Sequence, residues 1–293
     1  MRVIAIVGPT AVGKTSLSID LAKKIGGEVV SADSRQVYRG LTIGTGKVTK
    51  KEMRGVPHYL IDVADPKKQF TAHDYVRLGR HAIADIVKRG KIPIVIGGTG
   101  LYVDTLLGRR SVVEVPPNPK LRSVLEKLPL KELQAKLKKL DRARYKTIDL
   151  KNPRRLIRAI EIASAPKPRT YTLEPKTYSV TWIGLMAARP VLKKLIIDRL
   201  HERLDAGMLK EAKKLHKAGL SYKRMEELGL EYRYMARHLQ KIITYEQMVT
   251  QLDSEIYKYA KRQMTWFNAN KDVQWFDITH RAQALAACTR AHH

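Results

Sequence analysis

The 293 residues predict an α/β fold in which a parallel sheet is flanked by helices. Three observations predict it. The runs Val3-Ile4-Ala5-Ile6-Val7 and Ile92-Pro93-Ile94-Val95-Ile96 are apolar on both faces, as strands covered on both sides must be. Each runs into a glycine turn and then into residues with apolar positions at helical spacing. After a long basic stretch, Tyr178-Ser179-Val180-Thr181-Trp182-Ile183-Gly184-Leu185 returns as a core strand, so one sheet is interrupted rather than two being built.

The first turn carries the most specific pattern. Gly8-Pro9-Thr10-Ala11-Val12-Gly13-Lys14-Thr15 fits GxxxxGK[ST], the phosphate loop, placed between a strand and a helix as that motif requires. A diphosphate or triphosphate needs several backbone N–H groups aimed at it, and Gly8 and Gly13 let the chain curl around it. Lys14 brings an ammonium to the terminal phosphate and Thr15 offers a hydroxyl to Mg²⁺. The helix from Ser16, with Leu17, Ile19 and Leu21 at helical spacing, points its positive end at the anion. Gly26-Gly27 closes that helix.

Composition sets the outer limits. The chain is long enough for one large or two modest domains, and 44% hydrophobic residues is a globular value. No apolar run has the length of a membrane span and no basic segment precedes the first strand, so a cytoplasmic protein is expected. One cysteine, Cys288, excludes an internal disulfide and leaves no thiolate zinc site. The charge is the outlier: 56 Lys and Arg against 28 Asp and Glu give +28. A field of that sign attracts a polyanion, nucleic acid first.

In chain order, residues 28–33 read as a second strand ending in Asp33. Asp33-Ser34-Arg35-Gln36-Val37-Tyr38 then gathers acid, hydroxyl, guanidinium, amide and phenol at the strand's carboxyl end, where doubly wound sheets bind ligands. Asp33 is a candidate general base or, equally, a helix cap. Residues 40–47 form a glycine-rich loop that is mobile or faces a ligand. Residues 58–63 are a third strand, and Thr71-Ala72-His73-Asp74 caps the helix carrying Tyr75, Leu78, Ala82 and Ile83. His73 and His81 have no metal-ligand pattern and read as structural. After Ile96 the turn Gly97-Gly98-Thr99-Gly100 lacks the strand-end Asp that often orients Mg²⁺ in NTPases, and Thr99 is either a cap or a substrate contact.

Residues 111–177 change texture. Pro116-Pro117-Asn118-Pro119 breaks the chain, and Leu121, Leu125, Leu133 and Leu137 then carry helices dense in Lys and Arg: a small basic helical insertion between core segments 1–110 and 178–293. Asn152 caps a helix with Pro153 at its first position, and Arg154 and Arg158 lie one turn apart, for phosphate-backbone contact or as a solvated face. Farther on, Arg199 and Arg203 either reach inward to a diphosphate or bridge to Asp198 and Glu202. The C-terminal region is helical. Within it, Tyr257-Lys258-Tyr259-Ala260-Lys261-Arg262-Gln263-Met264-Thr265-Trp266-Phe267 interleaves aromatics and cations, suited to RNA, with Trp266 and Phe267 alternatively in the core.

Seven ordered motifs together resemble one family, the tRNA dimethylallyltransferases. They are the phosphate loop, Ser31-Ala32-Asp33-Ser34-Arg35-Gln36-Val37-Tyr38, Ile43-Gly44-Thr45-Gly46-Lys47, Pro57-His58-Tyr59-Leu60-Ile61-Asp62, Gly97-Gly98-Thr99-Gly100-Leu101-Tyr102, Asn152-Pro153-Arg154-Arg155-Leu156 and Ala260-Lys261-Arg262-Gln263-Met264-Thr265-Trp266. The resemblance implies a P-loop NTPase-like core that transfers dimethylallyl from dimethylallyl diphosphate to the N6 amine of the adenosine 3′ of the anticodon in tRNA. It implies a catalytic set of Asp33, Lys14, Thr15 and Arg203, with diphosphate on Gly8 through Thr15 and Mg²⁺ on Thr15. It places tRNA on Asp33, Ser34, Arg35, Gln36, Thr99, Arg154, Arg155 and Arg158, and a monomer free of membranes is expected. The motif at residues 152–156 has Asn and Arg where the family commonly has Asp and Gln. The rival readings are a P-loop small-molecule kinase using ATP, which the missing strand-end Asp and the basicity oppose, and a non-catalytic RNA-binding protein with a relic loop, which the intact Gly13, Lys14, Thr15 and Asp33 oppose.

Overall fold

A computed structural model describes residues 1–166, 169–171 and 178–290. The chain divides into two compact units, Met1–Arg109 with Glu174–His293, and Arg110–Leu173. The expected end of the insertion at Thr177 lies outside the described residues.

The strands are β1 (Arg2–Val7), β2 (Glu28–Ser31), β3 (His58–Tyr59), β4 (Pro93–Gly97), β5 (Val112–Glu114), β6 (Arg169–Tyr171), β7 (Ser179–Met186) and β8 (Gln274–Asp277). The first unit holds a six-stranded sheet in the order β3-β2-β4-β1-β7-β8. Every pairing in it is parallel. Val3 to Val7 are buried throughout, because helices cover both faces of the strand. Neighbouring β1 and β4 send their chains in opposite directions, toward β2 and toward β7, which opens a crevice at their carboxyl ends. The sites read from the sequence at residues 8–15, 33–36 and 97–100 all fall there.

Two strands differ from expectation. β3 stops at Tyr59 because Leu60 and Asp62 turn left-handed, at φ 62° and 57°, which no strand accommodates. β8 was not legible, because a short, half-exposed edge strand needs no apolar run. The helices obey their caps. Thr71 and Asp74 form the reciprocal capping box of the helix Ala72–Lys88, and Gly26, left-handed, ends the helix Lys14–Ile25.

The second unit is helical around its own core of Leu125, Leu133, Leu137, Leu156, Ile157 and Ile160. Asn152 caps the helix Pro153–Ala163 by accepting from the Arg155 amide. Beside these helices the unit contains a two-stranded antiparallel ribbon, β5 with β6, that the basic helical texture did not signal. Among the described residues no helix is long and apolar enough to cross a membrane.

Candidate active site

The phosphate loop curls against the end of β7. Gly8 has φ 137°, and a Cβ there would stand 2.2 Å from the Leu185 carbonyl oxygen, so no other residue fits without moving backbone. From its other side the loop is clamped by Gln263, on the helix Tyr245–Asn268. That buried amide accepts from the Thr10 N–H at 2.9 Å and donates to the Gly98 carbonyl at 2.9 Å, tying the loop after β1 to the turn after β4. A Cβ on Gly98 would meet the Gln263 nitrogen at 2.0 Å. The motif of residues 260–266 is therefore an internal brace: Trp266 donates its indole N–H to Asp104 at 2.8 Å, and Phe267 is buried. In the sequence this motif stands out by its aromatics and cations, and the Gln263 amide carries no signal of its own.

Lys14 and Arg199 face the loop's inner side. The Lys14 ammonium donates to the Pro9 carbonyl at 2.5 Å. Burial, reinforced by the nearby Arg199 charge and opposed by Asp33, lowers its pKa to about 7. Arg199 donates to the Gly46 carbonyl at 3.1 Å and lies 3.4 Å from the Thr10 hydroxyl. Arg203, which the resemblance put against the diphosphate, is committed elsewhere. Its guanidinium pairs with Glu231 at 2.9 Å and donates to the Gly44 carbonyl at 3.0 Å. One helical turn decides the matter: Arg199 is the arginine at the phosphate loop, and Arg203 holds the wall behind it.

That wall is residues 42–47, and it is fixed. Glu211 takes the amides of Thr42, Ile43 and Gly44 at 2.8 to 3.0 Å and the Tyr232 hydroxyl at 2.7 Å. A single carboxylate absorbing four donors resolves the choice between a mobile loop and a ligand-facing one in favour of a preorganised wall. Nothing in the surroundings of Glu211 in the sequence marked it.

The two carboxylate oxygens of Asp33 are used differently. Its Oδ1 accepts from the Arg35 and Gln36 amides at 2.7 and 3.2 Å, which fixes the turn, while Oδ2 makes no hydrogen bond among the described residues. Thr99 does not cap its own helix with its side chain; its hydroxyl accepts from the Ser34 N–H at 3.0 Å and meets the Tyr259 phenol. Burial, with the charge of Asp33, pushes that phenol up to about 12, so it stays protonated. Thr10, Lys14, Thr15, Asp33, Arg199 and Tyr259 all line one cavity, whose lining also includes Val29 and His58. The Arg35 guanidinium makes no bond among the described residues.

The tRNA candidates of the second unit separate. Arg154 is exposed and without an ion pair among the described residues, and Arg155 makes only a loose surface contact with Asp149 at 3.6 Å. Arg158 does not offer a free phosphate contact: it donates to the Val115 carbonyl at 2.7 Å and to Glu161 at 3.2 Å. The physical reason is Glu161 itself, whose buried carboxylate requires Arg122, the Asn118 amide and Arg158 to remain charged. Among the described residues no cluster of three or more His, Cys, Asp or Glu could cage a metal. The Thr15 hydroxyl at the loop suits Mg²⁺, which takes few protein ligands and keeps its waters and phosphate oxygens.

A parallel sheet with a phosphate loop at its crevice, two cations on the loop and a half-engaged carboxylate across the cavity define a P-loop enzyme that works on an anionic group. Comparisons with known proteins narrow the class. The description "IPP transferase" fits residues 36–270 as a family profile. The chain is 42% identical over 270 residues to tRNA dimethylallyltransferase 1 of Geotalea uraniireducens, covering 91% of this chain and 88% of that one. To the tRNA dimethylallyltransferase of Anoxybacillus flavithermus it is 38% identical, covering 95% and 91%. The crystal structure of the tRNA isopentenylpyrophosphate transferase of Bacillus halodurans superposes with a TM-score of 0.71 at 36% identity, over 100% and 99% of the chains. A eukaryotic dimethylallyltransferase captured acting on tRNA gives a TM-score of 0.80 at 27% identity, over 99% of this chain and 77% of that one. The chain belongs to the IPP transferase family, that of the tRNA dimethylallyltransferases. The kinase reading is not supported.

Proposed function

We propose that this enzyme transfers a dimethylallyl group from dimethylallyl diphosphate to the N6 amine of the adenosine 3′ of the anticodon in tRNA. The observation that carries the reading is the shared cavity: phosphate-loop cations at one side, the open Oδ2 of Asp33 at the other. The loop amides with Lys14 and Arg199 hold the diphosphate, and Thr15 contributes its hydroxyl to Mg²⁺, which would spread the negative charge of the departing group. As the N6–C1 bond forms, the C1–O bond to diphosphate breaks, and Asp33 takes the proton that N6 releases. Gln263, Glu211 and Arg203 position the two walls rather than touch the reacting atoms.

The base must leave its stack to reach this cavity, and Ser34, Arg35, Gln36 and Thr99 at its rim are placed to meet it. Arg154 and Arg155, exposed on the second unit, suit the RNA backbone, with Arg158 retained for folding. The net charge of +28 supports a polyanionic substrate whose binding weakens steeply with salt. We take the enzyme to act as a monomer in the cytoplasm.

The test is direct. The protein is incubated with Mg²⁺, dimethylallyl diphosphate and unmodified tRNA, and the digested RNA is examined by mass spectrometry. Prenylated adenosine should appear with this donor and not when ATP replaces it. ATP consumption against small molecules with no prenylated adenosine would overturn the proposal.

A further inference from the structure

One face of the helix Met208–Lys217 holds the crevice wall. Met208 and Ala212 are buried on it, and Glu211 takes the amides of Thr42, Ile43 and Gly44, next to Thr45 on the cavity lining. The opposite face is lysine. Lys210, Lys213, Lys214 and Lys217, all exposed, fall within one arc of about 100° and run about 10 Å along the axis. Past the helix end Lys67 adds a fifth ammonium, its Nζ 3.0 Å from the point where a Cβ on Gly219 would stand.

Folding does not ask for this row. Lys214, Lys217 and Lys67 suit the negative C-terminal pole of the helix, but Lys210 stands in its first turn, where a cation opposes the dipole. The four also face one another three and four residues apart, a like-charge spacing that destabilises a helix. No carboxylate relieves them, for none of the four makes an ion pair among the described residues. The acids that flank the helix in sequence are engaged elsewhere: Glu211 with the wall, Glu226 with Arg233 and Arg237, Glu227 with Arg224, and Glu231 with Arg203. Glu202 and Asp205, on the preceding helix Arg189–Asp205, make no ion pair among the described residues with any of the four. A row of cations kept unpaired at a cost to its own helix fits a row of anions from outside, and a phosphate backbone is such a row. The position agrees. A helix is about 10 Å across, so the row stands about that far behind the crevice wall, within reach of an RNA whose base lies in the cavity.

We propose that Lys210, Lys213, Lys214 and Lys217 form a docking surface for the phosphate backbone of the tRNA, on the core unit and additional to Arg154 and Arg155, which captures the RNA and takes no part in the transfer itself. This rests on the reading of the cavity as the place that receives a base from tRNA. The test combines Lys210→Gln, Lys213→Gln, Lys214→Gln and Lys217→Gln, which keep length and helix propensity, and measures tRNA Kd on the whole chain by fluorescence anisotropy over a salt series. Each phosphate contact contributes about 0.7 to 0.9 to the slope of log Kd against log salt, so the slope should fall by about 3 and tRNA should bind about 10²-fold more weakly at physiological salt. The loss should appear in KM for tRNA and not in kcat, and the variant should unfold at no lower a temperature than the native chain, because repulsion is relieved. Arginine at all four positions should keep the native slope. Lys23, Lys24, Lys88 and Lys271 stand just before the amino ends of β2, β4 and β8, at the sheet edge opposite the crevice, and removing the same charge there should lower the slope by less than one. A native slope in the glutamine variant, an equal loss in the distal one, or a loss that the arginine variant shares would overturn the inference while prenylation of tRNA persists. Absence of both tRNA binding and prenylation in the native chain would overturn the tRNA reading along with it.

Discussion

Strand β2 carries a carboxylate at each end, and the two are treated in opposite ways. Glu28, at its start, is buried and saturated: Arg89 gives it two bonds at 2.5 and 2.7 Å, Lys91 a contact at 2.9 Å and the Tyr59 hydroxyl another at 2.8 Å. Those partners, Arg89 foremost, hold its carboxyl down at about 2. Asp33, just past the strand's other end, spends one oxygen on two backbone amides and leaves the second to the cavity. The cations near it are not neutralised: burial first, and then a neighbouring guanidinium, lowers the pKa of each, Arg199 acting on Lys14 and Arg203 on Arg199. Structural charge is compensated where it stands, whereas the crevice keeps charge in reserve for a ligand.

Substituting each carboxylate sharpens the contrast. Asp33→Asn keeps an Oδ1 that accepts from the Arg35 and Gln36 amides and loses only the basic oxygen. Single-turnover transfer should fall about 10³-fold, in the range of a lost general base, with tRNA affinity unchanged within about twofold. A similar fall in tRNA binding would mean that the residue shapes the rim rather than moves a proton. Glu28→Ala should instead leave the reaction alone and cost about 1 to 3 kcal/mol of stability, by emptying a buried site and removing the acceptor shared by Tyr59, Arg89 and Lys91, the two cations being half-exposed and free to rehydrate. Denaturant unfolding measures it. The pH dependence has a fixed sign: the folded pKa lies below the ordinary carboxylate value, so the contribution of Glu28 is complete above about 4.5 and is lost as pH falls toward 2.

The same division explains what could be read in advance. Gly8, Gly13, Lys14, Thr15, Asp33 and Thr99 were legible because an anion cradle and a strand-end acid impose a local spacing on the chain. Gln263 and Glu211 act across gaps of more than 160 residues and have no local signature; a buried amide bracing two turns looks like any helix glutamine. Arg199 and Arg203 show the limit in one pair. Sequence put both on one helix face near the site, and only the position of Glu231 assigns the inner role to Arg199. Arg158 is a similar case, since the demand of Glu161 for a second guanidinium arises from burial that basic composition hides.

That pair supplies a finer break. Arg199→Ala removes the guanidinium at the loop and should lower kcat/KM for the allylic donor about 10²-fold. Arg203→Ala leaves Arg199 in place, though with a looser wall, and should cost about tenfold, expressed mostly in kcat. Reversal of this order, measured with donor varied at saturating tRNA, would return the diphosphate contact to Arg203.

The smallest effect tests the reserve of charge itself. With its pKa near 7, Lys14 is partly neutral in the free enzyme at neutral pH, and a diphosphate beside the ammonium must raise that value. Donor binding above pH 7 therefore takes up a proton. Affinity should fall as pH rises from 7 to 8, by less than tenfold, while below about pH 6 Lys14 contributes no further change. Calorimetry at pH 8 in two buffers of different ionisation enthalpy reads the uptake as a fraction of a proton per donor bound. Lys14→Met, which cannot titrate, should show weaker binding and no uptake from this position; an undiminished uptake would place the titrating group elsewhere in the crevice.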